Sequence, residues 1–167
     1  MRSIVLALLT VALLPLSAEA APRYAPGMRS TQVLRPCTTP TLRASLVSEE
    51  GATLHRELTI ALTNTGERGC AIDGYPAVRL LDAAKNVQIS AESFASAPRF
   101  FVLNPGAKAL FGLRVATGDG TAQYRTVPLL AIVPPGDVAP LYLTLTLPAA
   151  PMIEVTPLAP DTKGTGG

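Results

Sequence analysis

Hydrophobic residues of this chain recur at every second position over several separate stretches. The clearest stretch is 141–147, where four leucines alternate with tyrosine and threonine, and segments 57–63 and 109–115 repeat the pattern. Nowhere do apolar residues recur at helical spacing over three turns. A period of two places alternate side chains on opposite faces of a β-strand, so that one face can enter a core. The pattern therefore predicts an all-β fold.

Shorter strand candidates lie between these stretches. They are 42–48, 77–81, 87–90, 100–103, 127–133 and 152–155. Asp82 to Asn86 and Asn104 to Gly106 are predicted hairpin connections, because turn-forming residues there separate two candidate strands. The chain carries 16 prolines and 13 glycines, and turn signals about every 8 to 12 residues are typical of a Greek-key sandwich. We predict an immunoglobulin-like antiparallel Greek-key β-sandwich.

The N-terminus has the pattern of an export signal. Arg2 supplies a positive charge, Ile4 to Leu14 form an apolar run, and Ala18-Glu19-Ala20 is a signal-peptidase site. The alternative is an uncleaved membrane anchor, but the run is shorter than the roughly 20 apolar residues that a bilayer requires. We expect residues 1–20 to be a signal peptide, cleaved after Ala20, and the mature chain to be exported, periplasmic or secreted, and not membrane-spanning.

The rest of the chain divides by composition. Residues 21–35 contain proline and glycine without periodicity and are predicted to be an extended leader. The sandwich is predicted over 36–157, and 158–167 is predicted to be a flexible tail. Hydrophobic residues make up 48% of the sequence, with four Phe, four Tyr and no Trp, so an aliphatic core is expected.

The charge pattern argues against several classes of partner. The formal net charge is +2, and the arginines are scattered singly along the chain. A nucleic-acid groove or a polybasic membrane surface would cluster them. We therefore expect no nucleic-acid partner, and no pattern in the chain suggests a cofactor.

Cys37 and Cys70 are the two cysteines of the sequence. In an exported chain, such a pair most often forms one structural disulfide. The bond would join the start of the first core strand to the loop after the second, and closing that loop would stabilise the fold by about 3.5 to 4 kcal/mol. The alternative is a reactive or metal-binding thiol, which is disfavoured because His55 is the one histidine available as a further ligand.

The order of these segments resembles the family catalogued as domain of unknown function 4232, over Arg35 to Pro157. The resemblance rests on Cys37, on Leu58 to Gly66, on Cys70-Ala71-Ile72-Asp73-Gly74-Tyr75-Pro76, on Val78 to Asp82 and on Leu103 to Ala109. It implies an exported bacterial β-sandwich domain and carries no established activity. Many relatives have a second cysteine pair, whereas Thr121-Ala122-Gln123 and Pro148-Ala149-Ala150 stand in those neighbourhoods here.

Within the family-like stretch, five residues form a predicted structural motif, namely Asn64, Gly66, Gly74, Tyr75 and Pro76. Glycine permits a positive φ, tyrosine buries a ring while its hydroxyl finds a partner, and proline suits a strand entry. We predict that Gly74-Tyr75-Pro76 forms a corner between sheets. The functional alternative is that Tyr75 lines a ligand surface.

Patterns of catalytic residues are mostly missing. The nucleophile-elbow spacing Gly-x-Ser-x-Gly does not occur. A triad would have to centre on His55, which is predicted to be a half-exposed residue at the start of a strand. A concave site joining His55 to a carboxylate and a hydroxyl would favour the enzyme alternative.

Four aspartates lie in loops flanked by glycine or proline. They are Asp73, Asp82, Asp119 and Asp137. None stands in an alternating acidic loop, so turn formation is the expectation, with weak calcium binding as the alternative. No metal site is predicted.

The aromatic residues supply the best candidates for a partner surface. Phe100 and Phe101 are adjacent, so one ring of the pair must point outward if the strand is extended. Phe94, Phe100 and Phe101 are the candidate partner surface. We expect a non-catalytic binding or interaction module of the cell envelope, whose partner is a protein or another envelope component. The alternatives are an exported hydrolase and a structural assembly component.

Overall fold

The computed structural model describes residues 34–51, 54–94, 97–116, 126–148 and 152–162. Within these ranges the backbone forms strands and one 3₁₀ turn, Thr39–Thr41. The strands are β1 (Leu42–Gly51), β2 (His55–Asn64), β3 (Cys70–Ile72), β4 (Ala77–Leu81), β5 (Val87–Ser90), β6 (Glu92–Ser93), β7 (Phe101–Leu103), β8 (Lys108–Ala116), β9 (Thr126–Val133), β10 (Leu141–Pro148), β11 (Ile153–Val155) and β12 (Ala159–Pro160). The predicted all-β class is confirmed, while the predicted signal peptide, most of the predicted leader and the end of the predicted tail lie outside the described residues.

The larger sheet has the order β1-β2-β8-β11-β6, and β12 also pairs with β8. Its inner strand β2, between β1 and β8, directs Leu58, Ile60 and Leu62 into the core, as their period of two predicts. The pairs are antiparallel except for β11 and β6, which run parallel. The β6 edge is thus the exception in an otherwise antiparallel sheet.

The second sheet has the order β10-β9-β4-β5. Its β4–β5 hairpin turns at Asp82 to Asn86, as predicted. Asp82 closes this turn, because its carboxylate accepts the backbone N–H of Asn86 at 2.8 Å, and its own N–H donates to the Asn86 carbonyl at 3.0 Å. Lys85 takes a positive φ of 65° inside the turn.

The two sheets enclose one hydrophobic core. Fully buried side chains come from β2 and β8 of the larger sheet and from β4 and β9 of the second. Apart from Phe111, the largest of them are leucine and isoleucine, so the expected aliphatic core is confirmed. Each such side chain contributes about 1.5 to 3 kcal/mol when it leaves water. The immunoglobulin-like Greek-key arrangement stays a prediction.

A third, two-stranded sheet pairs β3 with β7. Cys70 begins β3 and is bonded to Cys37, with the two Cα atoms 4.8 Å apart. The predicted disulfide is therefore confirmed, but placing Cys70 in a loop was wrong. The backbone N–H of Cys37 donates to the Ala71 carbonyl, and the Ala71 N–H donates to the Arg35 carbonyl, so the chain before β1 runs alongside β3.

Two further features differ from the sequence expectations. The turn from Asn104 to Gly106 exists, with Gly106 at a φ of 76°, but it is no hairpin, because β7 pairs with β3 while β8 pairs with β2. Leu158 is buried and β12 pairs with β8, so ordered packing extends beyond Pro157. Among the described residues, the structure has no helix with the length and hydrophobicity to cross a membrane.

Candidate functional site

Asn64 is a buried structural centre at the end of β2. Its side-chain amide donates to the Arg68 and Leu103 carbonyls, each at 2.9 Å, and its side-chain oxygen accepts the Gly66 N–H at 2.9 Å. The side chain is 1% exposed. A Cβ on Gly66 would lie 3.2 Å from the Asn64 oxygen, a tight contact that glycine avoids. Both residues hold the loop before β3 in place.

Gly74 follows β3 and makes the turn that the sequence predicts for it. Its φ is +133°, and a Cβ at this position would lie 3.2 Å from the Pro135 side chain. Its carbonyl accepts the Leu158 N–H at 3.2 Å. Tyr75 packs against the core and Pro76 is buried just before β4. These contacts agree with the structural interpretation of Gly74-Tyr75-Pro76.

The phenylalanines divide between the core and the surface. Phe111 is 2% exposed, and Phe101 is partly buried against the core, whereas Phe100 is 61% exposed and Phe94 is 45% exposed. One ring of the adjacent pair therefore points outward, as expected. Phe94 directly follows β6 of the larger sheet, and its backbone N–H donates to the Val155 carbonyl of β11.

Phe100 belongs to an apolar surface on the outside of the small sheet, which we call the Phe100 face. It consists of Leu34, Pro36, Ala71, Phe100 and Val102. Val102 is the register partner of Ala71, which also bridges to Pro36. Leu34 lies two residues before Pro36, and Phe100 lies two residues before Val102. Side chains two residues apart along an extended chain point to the same side, so Leu34 and Phe100 join this surface. Leu34 and Val102 are each 40% exposed.

A depression of about 180 Å³ adjoins the Phe100 face. It is lined by Pro36, Ala71, Asp73, Pro135 and Gly136. Gly136 has a φ of +82°, and a Cβ there would lie 3.2 Å from the Pro36 side chain. The turn between β9 and β10 therefore comes close to the segment that carries Pro36.

Charged side chains flank the Phe100 face along the backbone. Arg35, Arg68 and Arg99 are exposed and directly adjoin Leu34, Gly69 and Phe100 in the sequence. Gly69 lies beneath Val102, whose side chain would be 3.3 Å from a Cβ there. Within the described residues, none of the three guanidinium groups forms an ion pair. Glu67 and Asp73 are the acidic residues beside them.

A larger depression of about 390 Å³ lies at the His55 end of β2, opposite the end that carries Asn64. We call it the His55 depression. It is lined by Leu54, His55, Arg114, Ala116, Met152 and Glu154. Leu54 and Met152 supply exposed apolar surface, at 58% and 46% exposure. The depression thus combines an apolar wall with a polar one.

The polar wall is a set of contacts between neighbouring strands. Glu57 and Glu154 are both register partners of Arg114, and each carboxylate lies 3.8 Å from its guanidinium group. His55 Nε2 lies 3.1 Å from Glu57 Oε1 and 3.5 Å from Arg114 Nη2. His55 is apparent from the sequence as the one histidine, whereas Arg114 and Glu154 are not, since only the strand order reveals that they meet.

The chemistry of this depression is limited among its described lining residues. They include an imidazole, a guanidinium group and a carboxylate, but no hydroxyl or thiol. Among its described lining residues, the His55 depression therefore lacks the hydroxyl group that the enzyme alternative requires beside His55 and a carboxylate. No group of three His, Cys, Asp or Glu side chains in this part of the chain could hold a metal ion.

Asp137 performs the turn role that was predicted for it and also joins distant segments. Its carboxylate accepts the backbone N–H groups of Thr39 at 2.7 Å, Val138 at 2.7 Å and Ala139 at 3.2 Å. These bonds, with Thr39 the strongest, lower the pKa of Asp137 from 3.8 to about 2. The turn before β1 is thereby tied to the β9–β10 connection.

Comparison with known proteins gives few matches. No curated protein matches the chain in sequence. A solved structure of a β-glucosidase from Kluyveromyces marxianus is similar at 11% identity and a TM-score of 0.34, and the match covers 66% of this chain and 15% of that chain. The chain thus spans a small part of the length of that enzyme. The model of the family described as "Domain of unknown function (DUF4232)" matches residues 37–159, so this chain belongs to that family.

Proposed function

We propose that this protein is an exported, non-catalytic interaction module of the cell envelope and that it binds a protein partner through the Phe100 face. The observation that carries the proposal is the 61% exposure of Phe100 on a surface that also exposes Leu34 and Val102. Large apolar side chains that are grouped and exposed often mark an interaction site. Aromatic residues and arginine are also the side chains most enriched at the centres of protein interfaces.

The disulfide supports this role because it lies directly beneath the Phe100 face. Cys37 follows Pro36, and Cys70 precedes Ala71, so the bond joins the two segments that carry the face. Both cysteines are buried. A surface that is rigid before binding loses less conformational entropy when its partner arrives. A disulfide also persists in oxidising compartments, which agrees with the export signal in the sequence.

The non-catalytic part of the proposal rests on the composition of the His55 depression. Arg114 is already neutralised by two carboxylates, and no described lining residue is a nucleophile activated by His55. Nucleophilic catalysis would require such a residue within hydrogen-bond reach of its base.

The proposal is tested by capturing partners from envelope extract with the chain that begins at Ala21. We expect one or more proteins to be retained by the wild-type chain and lost with Phe100→Ser. Phe94→Ser is the matched control, because Phe94 is also exposed but lies outside the Phe100 face. If the Phe100→Ser protein retains the same proteins as the wild type, the Phe100 face is not the binding surface.

A further inference from the structure

We infer that the partner of the Phe100 face is the His55 depression of a second copy of this chain, so that the domain assembles head to tail. The inference rests on the proposed function, because the same face does the binding. It goes further by naming the occupant. Three observations lead to it: the position, the shape and the charge of the two surfaces.

The two surfaces lie toward opposite ends of β2. His55 begins this strand, and Asn64 ends it by bonding to the Leu103 carbonyl of β7, the strand that carries the Phe100 face. At about 3.3 Å per residue, the ends of a ten-residue strand are about 30 Å apart. The two surfaces therefore belong to different ends of the molecule, and contact between them would join neighbouring copies in a row.

The shapes of the two surfaces are complementary. Phe100 is the most exposed phenylalanine among the described residues. The His55 depression has a volume of about 390 Å³ and an apolar wall formed by Leu54, Ala116 and Met152. An aromatic side chain that fills an apolar pocket is the usual anchor of a protein interface. Both surfaces now expose apolar groups that this contact would remove from water.

The charges are complementary as well. One row of register partners crosses the larger sheet beside the His55 depression, and it holds four carboxylates and one guanidinium group. Its members are Glu50, Glu57, Arg114, Glu154 and Glu92. Two carboxylate pairs in this row lie directly opposite each other on neighbouring strands, an arrangement that destabilises a sheet. Arg114 offsets only part of this charge.

The Phe100 face brings the opposite charge. Arg35, Arg68 and Arg99 flank it without ion pairs among the described residues, and outnumber Glu67 and Asp73. Docked on the His55 depression, these arginines would approach the glutamate row. Complementary potentials of this kind speed association and select the partner.

The contact is heterologous, because two different surfaces of the same chain meet. Such contacts generate a ring if the rotation between copies closes and an open row if it does not. Each end copy then keeps one free surface. A mixture of two variants, each with a different surface disabled, should therefore form pairs and nothing larger.

The test is sedimentation velocity over a concentration series of the chain that begins at Ala21. We expect the mean mass of the wild type to rise with concentration and to fall again in 0.5 M NaCl, because salt screens the charged contacts. Phe100→Ser disables the face, and Leu54→Ser with Met152→Ser disables the depression. Each variant alone should associate at least about tenfold more weakly than the wild type, while their equimolar mixture should form one-to-one pairs.

All three changed side chains are exposed, so unchanged circular dichroism and melting temperature are expected and show that each variant is folded. Val87→Ser is the control that should associate like the wild type, because Val87 is exposed on β5 of the second sheet, outside both surfaces. A wild type that stays monomeric at every concentration overturns the inference, as does a mixture that fails to pair. If the wild type is monomeric but still captures an envelope protein through Phe100, the head-to-tail inference fails and the proposed function stands. If Phe100→Ser changes neither experiment, both fail.

Discussion

Asn64 joins three segments through a single buried side chain. It connects the end of β2 to the loop at Gly66 and Arg68 and to the end of β7. A buried amide is tolerated only when its hydrogen-bonding groups are satisfied, and here both its N–H₂ group and its oxygen are. The same contacts position the small sheet, so this residue supports the segments that carry the Phe100 face.

Replacing Asn64 by alanine should lower the free energy of unfolding by about 2 to 3 kcal/mol, because a buried carbonyl and a loop N–H lose their partners. The measurement is urea denaturation followed by circular dichroism. Asn86→Ala is the matched control, since Asn86 also bonds through its side chain but is exposed. Equal losses in the two variants would contradict a structural role for Asn64.

The lowered pKa of Asp137 predicts how the free energy of unfolding depends on pH. Its pKa of about 2 in the folded chain lies below the ordinary 3.8 because Thr39, Val138 and Ala139 donate to the carboxylate. A group with a lowered folded pKa stabilises the fold above its unfolded pKa and loses that contribution as the pH falls through the folded one. Asp137→Asn should therefore be less stable than the wild type near pH 6.

The stability difference between Asp137→Asn and the wild type should shrink as the pH falls from about 3.8 to about 2. Thermal melts of both proteins across this range measure it. A difference that stays constant with pH would show that the charge of Asp137 does not contribute.

The strands that the sequence pattern predicts lie close to the observed ones. Segments 77–81 and 87–90 coincide with β4 and β5, and β2, β8 and β10 extend their predicted cores by a few residues. β3 was missed because Cys70 was assigned to the loop that follows β2. Its existence depends on β7 and on the segment at Pro36, which pair with it on opposite edges.

The disulfide gives a prediction about this small sheet. Replacing Cys37 and Cys70 together by alanine removes the closure of a loop with a sequence separation of 33. The free energy of unfolding should fall by about 3.5 to 4 kcal/mol in the chain-entropy view. The far-ultraviolet signature of β structure should remain, because the two main sheets keep their core.

In urea denaturation, the double variant and the reduced wild type should have the same free energy of unfolding, since both lack the disulfide. An intact-mass measurement after alkylation without reductant should find no free thiol in the wild type. Two alkylated cysteines in the non-reduced protein would refute the Cys37–Cys70 disulfide.

At the scale of the whole molecule, the core and the surface place opposite demands on the same residue type. Phe111 is 2% exposed and Phe100 is 61% exposed. Phe111→Ala should cost about 3 to 5 kcal/mol of folding free energy, because it leaves a cavity between the sheets. Phe100→Ala should change folding by no more than about 0.5 kcal/mol. Chemical denaturation distinguishes the two, and a large loss at Phe100 would mean that its ring is not a free surface group.

The sequence by itself determined the longer strands, the aliphatic core and the pairing of Cys37 with Cys70, because alternation and cysteine number are local or countable properties. It also identified the outward ring at Phe100 or Phe101 without deciding which. Strand order decided the rest. Arg114 meets Glu57 and Glu154 only because β8 lies between β2 and β11, and Phe100 shares a face with Leu34 only because β3 lies between their segments. Contacts between residues far apart in the chain depend on which strands become neighbours, and no local pattern carries that information.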